Sequence, residues 1–181
     1  MTPDLPVIWR NVRKSFHSLI NGSAKEISIR RFNAATDDQH VIQCWNHLRA
    51  VSKNIITDAM VRLVVDWVRN GHGEISAGFT PDGNCIGVVV ILDDHGKSLY
   101  HAGHYVEDKR GKRHSHFMVF DALARAKERK SDRFYFSTLD PDPYETNGRS
   151  FAPDPRMVMG RFFMRGFATD AVRQLTYVRS L

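Results

Sequence analysis

Near the start of the chain, Val7, Ile8, Trp9, Val12, Phe16, Leu19 and Ile20 recur at helical spacing, with Arg10, Arg13, Lys14 and His17 between them. The pattern predicts a basic amphipathic helix within residues 1–24, closed by Asn21-Gly22-Ser23 and standing apart from a domain over 25–181. From Glu26 to Phe32 the pattern changes to alternation, which reads as a strand. Thr36-Asp37-Asp38 then offers cap residues to a helix through Val41, Ile42, Trp45, Leu48 and Val51. Thr57-Asp58 does the same for a second helix, in which Met60, Val61, Leu63, Val64, Trp67 and Val68 keep a helical period until Asn70-Gly71.

Three strand signals follow. Glu74–Phe79 alternates and meets the turn sequence Pro81-Asp82-Gly83. Asn84–Leu92 is a β-branched apolar run stopped by Asp93-Asp94-His95-Gly96, and Ser98–Val106 alternates again, so two hairpins are expected. Beyond Lys109, Arg110, Lys112 and Arg113, Ser115 is expected to cap a helix with Phe117, Phe120, Leu123 and Ala124 on one face, ending in Lys127–Lys130. Arg133–Leu139 reads as an aromatic strand, Asp140–Pro155 as a proline-rich loop, Met157–Met164 as a helix broken by Gly166, and Val172–Val178 as the last strand. This order predicts an α/β (α+β) fold: a mixed, mostly antiparallel sheet with helices on both faces. A central parallel pair is expected where the helix between Val106 and Arg133 makes a crossover.

Composition narrows the class. The 181 residues suit one domain, and 42% hydrophobic with 25% charged residues is ordinary for a globular chain. No apolar run approaches the ~18 residues that span a bilayer. Arg10, Arg13 and Lys14 interrupt any signal-peptide core. Cys44 and Cys85 lie far apart, which predicts buried thiols in a reducing, cytoplasmic setting. No metal-ligand, Walker or serine-nucleophile spacing occurs, so no metal is expected. The net charge of +6 favours an anionic partner, such as a nucleotide, a CoA diphosphate or a membrane surface. No RNA-binding signature accompanies it, so nucleic acid is not expected. The N-terminal stripe predicts packing on the domain or on a second copy, which makes a homodimer, with peripheral membrane contact through residues 7–20 as the alternative.

The most informative stretch for chemistry begins at Val106. A strand runs into Lys109–His114 and a helix starts at once. The first N–H groups of a helix have no internal partner and carry the positive end of its dipole. With Gly111 permitting close approach, Arg110, Gly111, Lys112, Arg113, His114 and Ser115 form a candidate diphosphate site; the bland alternative is a solvated basic turn. The order of elements, with Val106 ahead of Arg110-Gly111-Lys112, resembles the GNAT acyltransferase superfamily. In that family a V-x-P-x-x-R-G-x-G-x-G/A stretch wraps the CoA pyrophosphate at a helix start. Here Arg113 and Ser115 stand where two glycines are usual, and no proline follows Val106. Arg161–Phe167 resembles the family's F-Y-x-x-x-G-F ending, so the resemblance spans residues 26 to 181. Ala126-Lys127, Phe134-Tyr135-Phe136 and Phe163–Phe167 also echo the Fem-type branch, which transfers aminoacyl groups from tRNA and usually has a pair of such domains.

The resemblance implies an N-acyltransferase that binds acetyl-CoA or another acyl-CoA and acts on an amine of a small molecule or peptide. A Fem-like or acyl-carrier-dependent transferase on a cell-envelope substrate, or a non-catalytic binding module of the same fold, are the alternatives. It also implies that strand amides at Gly103, Tyr105 and Val106 polarise the donor carbonyl and hold the pantetheine. The family's proton-donating tyrosine falls on Phe162, which has no proton to give. Candidate bases are His101, His104, Glu107 and Asp140, histidine being suited by its titration near neutral pH. The bland alternative is a half-buried strand histidine satisfied by a neighbour. In a regular strand His101, Gly103 and Tyr105 share one face and Tyr100, His104 and Val106 the other; a bulge near Gly103 would switch them. Tyr144, with Glu145, lies on the long loop expected over the acceptor side.

Overall fold

The computed structural model describes residues 5–51, 56–136 and 166–167. The elements expected over Asp140–Pro155, Met157–Met164 and Val172–Val178, and the end of the aromatic strand past Phe136, lie outside the described residues. The N-terminal pattern gives a pair of helices, α1 (Leu5–Asn11) and α2 (Lys14–Glu26), because Arg13 takes an extended conformation at φ −50° and ψ 130°. Helix α2 runs through Asn21-Gly22 to Glu26, so the first strand, β1 (Ser28–Phe32), starts later than the alternation suggested. A glycine inside a helix costs about 1 kcal/mol against alanine. Here the extra turn is held by tertiary contact, since Ser23 is buried and its hydroxyl meets His114 Nδ1 at 3.0 Å.

Two helices follow with the expected caps. In α3 (Gln39–Val51) Asp38 accepts the His40 N–H at 3.1 Å, and in α4 (Asp58–Arg69) the Thr57 side chain accepts the Met60 N–H at 3.3 Å. The remaining elements are β2 (Gly73–Phe79), β3 (Cys85–Asp94), β4 (Lys97–Tyr105), α5 (Ser115–Glu128) and β5 (Arg133–Tyr135). Strands lie in the order β1-β2-β3-β4-β5, antiparallel except for the parallel β4–β5 pair at the end of the described order. The crossover through α5 supplies that parallel pair, as chain direction requires.

Both faces of the sheet are covered, which explains the unbroken apolar run in β3. Val88 and Val90 pack with Val41 and Trp45 of α3 and Val64 and Val68 of α4. Val89 and Ile91 point the other way and pack with Met118 and Ala122 of α5. Beside that second layer, Val12, Phe16 and Ile20 join Val119, Leu123 and Phe167. The N-terminal stripe is therefore core, tied down further by the Arg13 N–H to the Gly166 carbonyl at 2.8 Å. Of the residues that suggested a membrane-binding or dimer-forming face, Val12, Phe16 and Ile20 are buried in the fold, while Leu19 is left exposed, as is Leu5.

A buried carboxylate joins these layers. Glu74 of β2 is 2% exposed. It faces Arg31 of β1 at 3.4 Å, Arg125 of α5 at 3.4 Å and Arg129 at the C-cap of α5 at 3.7 Å, and accepts from Asn33 at 3.0 Å. Removing one member of a buried ionic group strands the others without compensation, at about 3–5 kcal/mol. Glu74→Gln is expected to destabilise the fold by that amount in urea unfolding followed by circular dichroism. A loss below about 1 kcal/mol, the scale of a surface pair, would show that water already screens the cluster.

Candidate functional site

Strand β4 carries the geometry of the site. Val90 pairs with Ala102 but Ile91 pairs with Tyr100, so His101 is an extra residue, a bulge in β4. The bulge sits at His101, before Gly103, and it changes which residues share a face. Ala102 now packs toward α3 and α4, and by alternation His104 lies on that side too. Tyr100 and Tyr105 meet on the α5 side, hydroxyl to hydroxyl at 2.9 Å. They lie over Gly103, where a Cβ would stand 1.7 Å from Tyr100 Oη, so this pairing requires glycine. Burial pushes the Tyr100 phenol up to about 12 and the Tyr105 phenol well above its ordinary value, so both hydroxyls keep their hydrogens. Only one of these hydrogens can lie between the oxygens.

Among the described residues, β5 borders only the first part of β4. Pairing of β4 with β5 covers Lys97↔Arg133, Ser98↔Phe134 and Leu99↔Tyr135, while β4 runs on to Tyr105 along β3. The Val106 N–H donates to Ile86 O at 2.9 Å, which fixes the alternation of the ladder. In an antiparallel pair, alternate residues turn both backbone groups toward the partner and the next turn both away. Gly103 and Tyr105 therefore direct their N–H groups away from β3, toward the other edge of β4. Val106 does not, because its N–H is already bonded within the ladder.

The histidines are divided by the bulge. His104 is 4% exposed, and burial, helped by the charge of Arg49, lowers its pKa below the usual histidine value. His101 is half-buried, its pKa is also lowered by burial, and its Nε2 finds no hydrogen-bond partner among the described residues. Glu107 is more than half exposed and paired with Arg113 at 3.2 Å, away from the buried face of the strand. Asp140 and Tyr144 lie outside the described residues. On the His104 side, a cavity of about 320 Å³ between α3 and α4 is lined by Asn46, Arg49, Asp58, Val61 and Arg62. Arg49 is held there by Asp58, by Asn46 at 3.0 Å and by the Ile56 carbonyl at 2.8 Å. Nothing in the spacing of these residues marked them as a group, since they come from separate helices.

After Tyr105 the chain forms the glycine loop, and its anions were missed. Gly111 takes φ 72°, which an L side chain rarely adopts, and its N–H donates to the Asp108 carbonyl at 2.9 Å. Asp108 Oδ1 accepts the Arg110 and Lys112 N–H groups at 2.8 and 2.9 Å. Its Oδ2 meets His114 Nε2 at 3.2 Å. These bonds, that from Lys112 first, hold its carboxyl well below the usual carboxylate range. Glu26 at the end of α2 faces Lys112 at 2.9 Å and Arg110 at 3.0 Å, and the Lys112 bond lowers its pKa as well. Glu26, Asp108 and His114 could reach a common ion, yet Lys112 and Arg110 already supply the positive charge there. Helix α5 begins at Ser115 with His114 as its cap residue, so Ser115 is the first helical residue; no side chain caps the first turn.

No protein-family model matches the sequence, and no curated protein matches it. The fold does have counterparts among solved structures. It resembles aminoglycoside N-acetyltransferase AAC(6')-Iy in complex with CoA, at TM-score 0.56 and 11% identity over 85% of this chain and 94% of that one. It resembles the ribosomal-protein-alanine N-acetyltransferase of Brucella melitensis biovar Abortus 2308, at TM-score 0.53 and 16% identity over 85% and 99%. FemX aligns at TM-score 0.64 and 10% identity over 91% of this chain, which spans 56% of the FemX chain. The chain thus has the GNAT acetyltransferase fold, in a divergent form that also resembles FemX.

Proposed function

We propose that the protein is an N-acyltransferase that moves an acyl group from a thioester donor of the acyl-CoA class to an amine. The observation that carries this reading is the register of β4, in which Gly103 and Tyr105 turn N–H groups away from β3, beyond the described β4–β5 pairing. Fixed backbone donors suit a carbonyl oxygen that gathers negative charge during acyl transfer. The likeness to a CoA-bound acetyltransferase supports the donor class. On the opposite face His104 takes the proton of the acceptor amine, since burial keeps its ring neutral near pH 7. The cavity beside Arg49 is where we place the acceptor. The glycine loop, in the form described, does not fit a diphosphate, because Asp108 holds the amides that would receive it. That mismatch and the FemX likeness favour a second reading, a Fem-like transferase whose donor brings no diphosphate to this loop.

Full-length protein with acetyl-CoA and a panel of amines (an aminoglycoside, a peptide with N-terminal alanine, a polyamine) is expected to release free thiol above the buffer rate with at least one amine. No release with any amine or any acyl-CoA would overturn the acyl-CoA reading. His104→Ala is expected to lower kcat/KM by about 10²–10⁴-fold, the usual contribution of a general base. A loss under about tenfold would remove His104 from that role.

The pH profile gives a further check. A base must be unprotonated, so kcat/KM falls as pH drops through its pKa. Because burial holds the His104 pKa below the ordinary histidine value of 6.5, the acid limb is expected to have its midpoint below pH 6.5. It is expected to vanish in His104→Ala. An acid limb unchanged in that variant would assign it to another group.

A further inference from the structure

Asp108 stands where a bound anion belongs. A turn that sets an ordinary residue before one of positive φ gathers successive N–H groups into a concavity that takes anions. Arg110 and Gly111, the latter at φ 72°, make such a turn, and the Arg110 and Lys112 N–H groups both aim at one oxygen of Asp108. The carboxylate side chain is 4% exposed. His114, itself 2% exposed, closes over its other oxygen and is anchored in turn to Ser23 of α2 at 3.0 Å. The surrounding cations are matched as well. Lys109 faces Asp82, Arg110 faces Asp108 and Glu26, Lys112 faces Glu26, and Arg113 faces Glu107. The loop that reads as a cationic cradle in the sequence is close to neutral in the fold.

We infer that Asp108 is a built-in occupant of the donor's anion seat, held there by α2 through Ser23 and Glu26, and that it sets how tightly a diphosphate-bearing donor binds. The choice of donor rests on the acyl-CoA reading above; the filled seat does not. A diphosphate entering this loop has to displace the carboxylate from both amides and then lie beside two acids, Asp108 and Glu26. Like charges at such distances repel, and the bonds lost are charge-assisted ones. Weak binding of the wild-type chain is the consequence, together with tighter binding when either acid is neutralised.

Calorimetry of CoA and of inorganic pyrophosphate, on the full chain at low salt, tests this. Asp108→Asn keeps an oxygen for the Arg110 and Lys112 amides but removes the charge. Glu26→Gln frees Arg110 and Lys112 and leaves the turn alone. Asp108→Ala empties the seat. Each is expected to bind CoA more tightly than wild type, Asp108→Ala by about tenfold or more, the scale of one charge-assisted bond. Pyrophosphate should follow the same order. Thermal unfolding shows which variants are folded, and Asp108→Asn and Glu26→Gln decide the matter if Asp108→Ala is not. Equal or weaker CoA binding in folded Asp108→Asn and Glu26→Gln would overturn the inference, as would no binding by any variant. Affinity gained without acyl transfer to any amine would support the filled seat while sinking the acyl-CoA enzyme reading. Transfer by wild type with affinity unmoved in the variants would do the reverse.

Discussion

The placement of α5 depends on one buried charge. Glu74, inside the sheet on β2, is met there by guanidinium groups, from Arg31 on β1, from Arg125 on α5 and from Arg129 at its C-cap. Arg129 also reaches Asp93 of β3 at 2.5 Å, and Arg31 reaches Asp121 of α5 at 2.8 Å. Apolar packing alone leaves a helix free to slide along a sheet, since burial is roughly proportional to area and has no direction. Charged groups with fixed hydrogen-bond directions do not slide. The cluster therefore fixes the rotation and height of α5, and with them the position of its first turn. The other end of the helix is fixed by the His114–Ser23 bond to α2. The glycine loop is strung between that bond and the end of β4.

The two hairpins, the parallel pair and the caps at Asp38 and Thr57 were legible because each follows from local pattern or chain direction. So was the switch of faces in β4 that a bulge would cause. Its position at His101 was not, since a bulge is set by the register with β3, and a single strand's alternation carries no register. The length of α2 was misread for a similar reason. Asn21-Gly22 is a stop signal for an isolated helix, but Ser23 and Glu26 have partners in the loop some ninety residues on.

The bulge does more than exchange faces. Without it Tyr100 would lie on the His104 side, and the space over Gly103 would be empty. With it, the strand puts protonated phenols on one side and a neutral imidazole on the other, with the outward N–H groups of Gly103 and Tyr105 between them. One inserted residue thus separates hydrogen-bond donors from a proton acceptor across the thickness of the sheet.

Charge was the least faithful guide. A net charge of +6 and four cations in one loop pointed to an anion site at that loop. Net charge is a sum over the whole surface, and the potential at a site depends on what lies within a Debye length, about 10 Å at moderate salt. The carboxylates that neutralise the loop come from Glu26 and Asp82, distant in sequence, and from Glu107 and Asp108, which the basic motif overshadowed. Exposed pairs of this kind add little stability. Their effect is on the local potential, which is the quantity an incoming anion meets. Arg62, by contrast, lines the cavity between α3 and α4 and has no carboxylate partner among the described residues. Among the described residues the cations that the motif named are thus matched by carboxylates, whereas Arg62, which no motif announced, is not.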